Sequence, residues 1–119
     1  MKSRHDRLYL YDIIECCDRV ADYVNGVREE DYHLNAMLQD ALVRNIEVVG
    51  EAVKNLSQEI KDTHPDIAWS QIARMRDKIA HHYFRINLDV VWKTATCDLP
   101  SLRPQIKAIY ERLEKQLTD

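Results

Sequence analysis

The 119-residue sequence predicts an all-α fold, an up-and-down antiparallel bundle of four to five helices in one domain spanning residues 1–119. Only 2 Gly and 3 Pro interrupt the chain, which argues against collagen-like, disordered and turn-dense all-β proteins. Apolar residues make up 45% of the sequence, enough for one hydrophobic core, and the chain is too short for a second domain. The apolar residues recur every three or four positions, as they do along one face of a helix.

Two apolar patterns account for the first half of the chain. The first runs over Leu10–Val24 and ends at Asn25-Gly26, where glycine suits the left-handed turn after a helix. After a charged connecting segment, VREEDYH, seven apolar residues recur at helical spacing and predict one long helix. These are Leu38, Leu42, Ile46, Val49, Val53, Leu56 and Ile60. His64-Pro65 should end this helix, because proline disfavours the helical conformation in the preceding residue and has no N–H to donate.

Two shorter helices are predicted next. The third helix begins near Trp69 or Ser70, and its apolar stripe continues as far as Tyr83 before the pattern fails. Asn87 is suited to cap a fourth helix, which carries the apolar residues within Leu88–Ala95.

The last helix follows a break or kink that we expect around Asp98-Leu99-Pro100. Its apolar face runs from Leu102 to Leu117, opposite a face of charged residues. Pro100 and Pro104 are compatible with this helix only near its first turn. The short connections between successive helices favour antiparallel neighbours.

Potential metal ligands are sparse. Cys16 and Cys17 are adjacent and Cys97 is distant, so we expect three reduced packing residues rather than a disulfide framework or a C-x-x-C zinc half-site. Three histidines stand in presumed loop or terminal positions without a partner at ligand spacing. These are His5, His33 and His64. We therefore expect neither a metal site nor a cofactor.

Several other classes of protein lack support in the sequence. No stretch approaches the roughly 18 consecutive apolar residues of a membrane span, and the start, MKSRHDRLYL, lacks the apolar core of a signal peptide. We expect a cytoplasmic protein without membrane contact. There is also no Gly-rich phosphate loop and no G-x-S-x-G motif, which removes the common nucleotide-binding and serine-hydrolase signatures.

The basic residues are concentrated in one segment. The whole chain carries a net charge of −3, which provides no general surplus for binding a polyanion. Residues 73–85, ARMRDKIAHHYFR, contain four basic residues and one acid: Arg74, Arg76, Lys78, Arg85 and Asp77. This segment therefore carries +3 and the remainder −6, so any contact with nucleic acid must be local.

On a regular helix, the key side chains of this segment lie on different faces. At about 100° per residue, Tyr83 returns to within about 20° of Arg76, whereas His81 lies about 140° away. Arg76 and His81 meet only if the helix unwinds after Ala80 or if a two-fold axis brings up the same segment of a second chain. Either arrangement suits metal-free phosphodiester cleavage, because guanidinium holds phosphate oxygens and imidazole can move the proton of a ribose 2′-OH.

A purely structural interpretation stays open on these residues alone. Cations near a helix C-terminus stabilise the helix by about 0.3–1 kcal/mol through its macrodipole. Lys78, His81, His82 and Arg85 could therefore serve stability only.

The segment from Arg76 to Tyr83 has the spacing R-x4-H-x-Y. With this motif, the sequence resembles the HEPN ribonucleases, specifically the HepT-like toxins of HepT/MntA toxin–antitoxin pairs. Three further stretches are similar to the family in order and spacing: NIEVVGEAVKNLS, the lead-in from Trp69 to Met75, and HHYFRINLDVVWKTATCDLPSL. The resemblance thus covers nearly the whole chain.

The resemblance implies a homodimer of the HEPN fold whose two motif copies line one cleft and cut RNA endonucleolytically without metal. Arg76 would steady the phosphate and its transition-state charge, and His81 would act as general acid or base. Tyr83 would be the residue that an MntA-type nucleotidyltransferase antitoxin modifies with AMP. Such a modification would bring negative phosphate into the positive cleft and block it.

Other residues of the segment are predicted to be auxiliary. Asp77, at a position often held by Asn in the family, would hold Arg76 or His81 in place, although its negative charge could weaken phosphate binding. Arg85, where relatives often carry Gly, would lend another phosphate contact and stiffen the turn. Arg74 and Lys78 are also expected to contact phosphate.

The expected partners are RNA as substrate, an MntA-type antitoxin, and a second copy of the chain, with a larger toxin–antitoxin assembly as a further possibility. One alternative is a catalytically silent HEPN-fold module that docks a nucleotidyltransferase or a nucleotide. Another is a small interaction bundle whose basic helix end binds an acidic partner.

Overall fold

The computed structural model describes residues 2–79 and 86–118, except for the side chains of residues 2–4, 76, 78 and 118. Within those ranges the protein is all-α, as predicted, with eight α-helices, one π-helical turn and no strand. The α-helices are α1 (Lys2–Val24), α2 (Glu29–Tyr32), α3 (Ala36–Asn55), α4 (Gln58–Thr63), α5 (Trp69–Ala73), α6 (Met75–Ile79), α7 (Leu88–Lys93) and α8 (Leu99–Thr118). The π turn (Thr94–Asp98) joins α7 to α8.

The three long helices form most of the core. Helix α1 packs against both α3 and α8, and side chains from all three helices are completely buried, among them Ile13, Ile46 and Ile106. Fully burying one such side chain stabilises the fold by roughly 1.5–3 kcal/mol. Helix α1 ends where its apolar pattern stops, and Gly26 follows with φ of 75°, which confirms the predicted turn.

The predicted long second helix is interrupted, so that α3 ends at Asn55 and α4 begins at Gln58. The cause is Ser57, whose N–H and hydroxyl donate to the two carboxylate oxygens of Asp6 at 2.8 and 2.6 Å. The same hydroxyl accepts the N–H of Ile60 at 3.3 Å and caps α4. Helix α4 ends at Thr63, directly before His64-Pro65, as predicted.

The predicted break near Asp98-Leu99-Pro100 is instead a π turn within a continuous helical path. Thr94 and Leu99 both keep helical backbone angles, and the Leu99 N–H donates to the Thr94 carbonyl, five residues back. Pro100 lies in the first turn of α8 as expected, whereas Pro104 lies inside the helix. Because proline has no N–H, Pro104 leaves one helical hydrogen bond unmade.

Candidate active site

The segment that carries the sequence motif begins in α6. Arg76, Asp77 and Lys78 lie in this helix, and the side chain of Asp77 is exposed. The side chains of Arg76 and Lys78, together with residues 80–85, are outside the described part of the protein. Residues 80–85 include His81, Tyr83 and Arg85, so the meeting of Arg76 with His81 stays a prediction.

The predicted third helix is broken at Arg74. This residue has φ of −97° and ψ of 7°, which ends α5, and α6 starts at the next residue. The Asp77 N–H donates to the Arg74 carbonyl at 2.9 Å across the break. The prediction of one helix from Trp69 onward was therefore wrong, and Arg74 does not share a regular helix with Lys78.

A close approach between two backbones lies next to this break. Gly50 of α3 is buried, and a Cβ atom there would lie 3.4 Å from the carbonyl oxygen of Ala73 and 3.6 Å from that of Ile72. Glycine lets α3 come this near to the end of α5 without a side chain in between. This contact determines the distance between α3 and the end of α5, directly before α6 begins.

A backbone hydrogen bond joins the end of α6 to the residue that precedes α7. The N–H of Asn87 donates to the carbonyl oxygen of Ile79 at 2.8 Å. The side chain of Asn87 accepts the N–H of Val90 at 3.2 Å and caps α7, as predicted. Ile79 and Asn87, which are eight residues apart in the chain, are therefore in direct contact.

Tyr32 holds the first residue of α7, Leu88, in place. Its ring is completely buried, with its centroid 4.8 Å from that of Trp92, and its hydroxyl donates to the Leu88 carbonyl at 2.7 Å. Burial raises the pKa of Tyr32 to about 12. No sequence pattern indicated this role, because Tyr32 is in the charged segment that we interpreted as a connection and that contains α2.

One histidine outside the motif, His33, differs from the sequence-based expectation, whereas His5 is in the first turns of α1, a terminal position as expected. Nε2 of His33 lies 3.5 Å from Oε2 of Glu29 and 3.2 Å from Oδ1 of Asp89, so His33 does have carboxylate neighbours at ligand spacing. Sequence spacing could have indicated Glu29, four residues before His33, but not Asp89, which approaches from α7 only in the folded chain. The three exposed side chains join α2 to α7.

The cysteines are only partly packing residues. Cys16 and Cys17 are buried, whereas Cys97 is exposed at the π turn. Burial raises the pKa of the Cys17 thiol to about 12, which keeps it protonated and unreactive at neutral pH. The expectation that Cys97 packs in the core was wrong, because the π turn directs this position to solvent.

Comparison with known protein families identifies the family to which the chain belongs. Residues 13–109, which span the motif segment and its supports, match the model of the family described as Ribonuclease HepT-like. The chain belongs to the HepT-like ribonuclease family. The family resemblance found in the sequence is thereby confirmed.

Three relatives match this HepT-like chain over almost their whole length. "Probable ribonuclease HepT" of Thermococcus cleftensis is 39% identical over 115 residues, which cover 97% of this chain and 100% of the relative. "Putative RNase TTE0752" of Caldanaerobacter subterraneus is 39% identical over 106 residues, covering 89% and 95%. "Putative RNase MJ0127" of Methanocaldococcus jannaschii is 34% identical over 114 residues, covering 96% and 94%.

No solved structure shows significant similarity to the HepT-like chain. In the described part of the protein, no helix is both long and apolar enough to span a membrane.

Proposed function

We propose that this protein is a metal-independent endoribonuclease, the toxin of a type VII-like HepT/MntA toxin–antitoxin system. The family match over residues 13–109 is the observation that carries the proposal, because it includes the R-x4-H-x-Y residues Arg76, His81 and Tyr83. The +3 charge of residues 73–85 supports it, since a phosphodiester needs local cations in a chain of net charge −3.

The proposed reaction needs only groups that the protein and the RNA supply. The ribose 2′-oxygen attacks the neighbouring phosphorus while its proton passes to a base, the bond from phosphorus to the 5′-oxygen breaks, and the leaving oxygen takes up a proton. His81 carries out one of these proton transfers. Arg76 holds the phosphate oxygens and stabilises the negative charge that builds up on them. The products are a 2′,3′-cyclic phosphate and a 5′-hydroxyl.

A homodimer completes the proposed site. A two-fold axis next to α6 would bring two copies of Arg76 and His81 to one cleft, which a single regular helix cannot do.

The decisive experiment incubates the purified full chain with RNA in EDTA. We expect cleavage that falls by about 10²–10⁴-fold in His81→Ala, the usual contribution of a general acid or base, and is also lost in Arg76→Ala. His5→Ala is the matched control, because His5 is exposed on α1, and it should cut like the wild type. Light scattering should show that all variants remain dimers.

Two results would contradict the proposal. An unmodified wild-type chain that leaves RNA intact would support the silent binding module or the small interaction bundle. Unfolding of His81→Ala and Arg76→Ala would support a stabilising role for the basic helix end.

Regulation by AMP is tested separately with an MntA-type nucleotidyltransferase and ATP. In the proposed modification, the Tyr83 oxygen bonds to the α-phosphorus of ATP, pyrophosphate leaves, and the phenolic proton is released to solvent. Tyr83→Phe should keep measurable cleavage but take up no AMP and escape neutralisation. Tyr11→Phe is the control, since Tyr11 is 47% exposed on α1. Continued AMP incorporation into Tyr83→Phe would move the modified site to another residue.

A further inference from the structure

A groove lies beside the break that precedes the motif helix. It runs between α4 and α5, has a volume of about 660 Å³, and takes its apolar floor from Ile67, Ala68 and Trp69. The indole N–H of Trp69 donates to the His64 carbonyl at 2.9 Å, which fixes the ring as part of the floor. A volume of this size falls in the range that holds small organic ligands.

The charged side chains that line the groove are both cations, Lys61 and Arg74. Arg74 is exposed and donates through Nε to the Ser70 carbonyl at 3.3 Å, which leaves its terminal nitrogens as donors. Among the described residues, neither Lys61 nor Arg74 takes part in an ion pair. The groove therefore offers two uncompensated positive charges with hydrogen-bonding capacity.

Other cavities on the described surface have the opposite character. The cavity between α5 and α8 has two acidic residues and one basic residue in its lining, Asp66, Asp98 and Lys93. The cavity between α1 and α3 has three acidic residues and one basic residue, Asp12, Glu47, Glu51 and Arg44, so both linings carry a net negative charge. A polyanion is repelled from such linings, whereas the groove between α4 and α5 attracts it.

The groove adjoins the proposed catalytic segment. Arg74 is the residue at the break, and Arg76 follows two residues later in α6. Two residues span at most about 7 Å of chain, so a single RNA strand held at Arg76 reaches the groove within a few nucleotides. Polar lining side chains, Ser70 and Gln71, add donors for sugar and phosphate oxygens.

We propose that the groove between Lys61 and Arg74 binds the RNA strand on one side of the scissile bond. Lys61 and Arg74 contact successive phosphates, and the floor formed by Ile67, Ala68 and Trp69 accepts a sugar or base. This inference rests on the proposed ribonuclease function and extends it, because it makes affinity depend on the length of the RNA.

The test measures RNA binding by fluorescence anisotropy in EDTA, with His81→Ala as the background so that the RNA stays intact. The probes are a dinucleotide and a single strand of about 16 nucleotides, the upper end of site sizes for compact single-strand-binding domains. Lys61→Ala and Arg74→Ala should each weaken binding of the long strand about tenfold, as expected for one lost charge-assisted contact. The loss for the dinucleotide should be smaller.

Salt dependence and two further variants separate charge from shape. Each lost phosphate contact should reduce the slope of log affinity against log salt by about 0.7 for a single strand. Lys61→Arg should restore both affinity and slope. Lys107→Ala is the control for general charge, because Lys107 lies on α8 with its ammonium 5.9 Å from the centroid of the Tyr110 ring, and it should bind RNA like the background.

The outcomes distinguish this proposal from the one that it rests on. If the wild type cuts RNA and neither Lys61→Ala nor Arg74→Ala changes affinity or slope for the long strand, the groove assignment is overturned and the ribonuclease stands. If Lys61→Glu leaves RNA affinity unchanged but abolishes binding of an acidic protein, the groove is a protein-docking site and the assignment is again overturned. The cleavage assay in EDTA is separate from the binding measurements, and absence of RNA cleavage by the wild type in that assay would reject the proposed ribonuclease function.

Discussion

Two regions of the molecule are held together in different ways. The three-helix core, made of α1, α3 and α8, is stabilised mainly by continuous apolar faces whose central side chains are completely buried. The motif region is made of α5 and α6, of five residues each, and α7, of six residues, which continues through the π turn into α8. Helices as short as α5 and α6 are not stable alone, so their few buried side chains and the contacts at their ends determine where they lie.

The difference separates stability from positioning. In the three-helix core, each buried side chain packs against many others, so the removal of one lowers the stability of the whole fold. In the motif region, one hydrogen bond at Asn87 or one close contact at Gly50 sets the direction of the chain around the proposed site. Substitutions in the first region should change the free energy of unfolding, and those in the second should change activity more than stability.

The largest expected effect is in the three-helix core. Ile106→Ala removes a completely buried side chain of α8 and should lower the free energy of unfolding by about 2–5 kcal/mol. Urea unfolding measures this loss, and the folded fraction should cut RNA at the wild-type rate. A loss of activity beyond the unfolded fraction would contradict the separation between the two regions.

A smaller effect is expected where the core meets α4. Asp6→Ala leaves the N–H and the hydroxyl of Ser57 without their carboxylate partner, which should cost about 1–3 kcal/mol. Asp18→Ala is the matched control, since it breaks the exposed pair with Arg103 and should cost about 1 kcal/mol or less. Equal losses of unfolding free energy in both variants would show that the Asp6 contact does not hold the break between α3 and α4.

The sharpest comparison uses two caps of the same kind. The side chain of Asn35 accepts the Leu38 N–H at 3.0 Å, and that of Asn87 accepts the Val90 N–H at 3.2 Å. Replacing either residue by Ala should cost about 1 kcal/mol. Only Asn87→Ala should also lower RNA cleavage, because it loosens the end of the motif segment. Equal rates of RNA cleavage by Asn35→Ala and Asn87→Ala would show that the cap at Asn87 does not affect the proposed site.

A change in stability similar to that of the two caps is expected at Tyr32. Tyr32→Phe leaves the Leu88 carbonyl without its donor and should cost about 0.5–1.5 kcal/mol. Burial raises the pKa of Tyr32 from 10.0 to about 12, so the folded chain favours the neutral phenol. Its contribution is complete below pH 10 and decreases as the pH rises toward about 12. The difference in unfolding free energy between wild type and Tyr32→Phe should narrow over this range, and a constant difference would contradict the assignment.

The sequence was sufficient for the parts of the fold that depend on local patterns. Helical spacing identified the apolar faces of α1, α3 and α8, and Gly26, Pro65 and Asn87 marked helix ends correctly. The interruption at Ser57 was missed because its cause, Asp6, lies 51 residues away in the chain. No local pattern can encode a partner at that separation.

The sequence supplied candidate site residues, which stay a prediction, but it did not indicate the contacts that support their segment. The motif spacing and the charge of residues 73–85 identified Arg76, His81 and Tyr83 as candidates. The contribution of Tyr32 was hidden because its hydrogen bond reaches Leu88, 56 residues along the chain. The contact of Gly50 with the end of α5 was also hidden, because a glycine within a helix does not indicate which residues approach it.

The π turn between α7 and α8 determines which changes in chain length the protein can accept. A π turn bonds residues five apart instead of four, so it takes up one residue more than an α-helical turn over the same path. The extra residue therefore does not change which face of α8 meets the core. If the same residues formed a regular α-helix without the π turn, every residue of α8 would rotate by about 100° about the helix axis, and Ile106 would leave the core. Deleting Cys97 should instead return this turn to α-helical spacing and keep α8 in register with the rest of the fold.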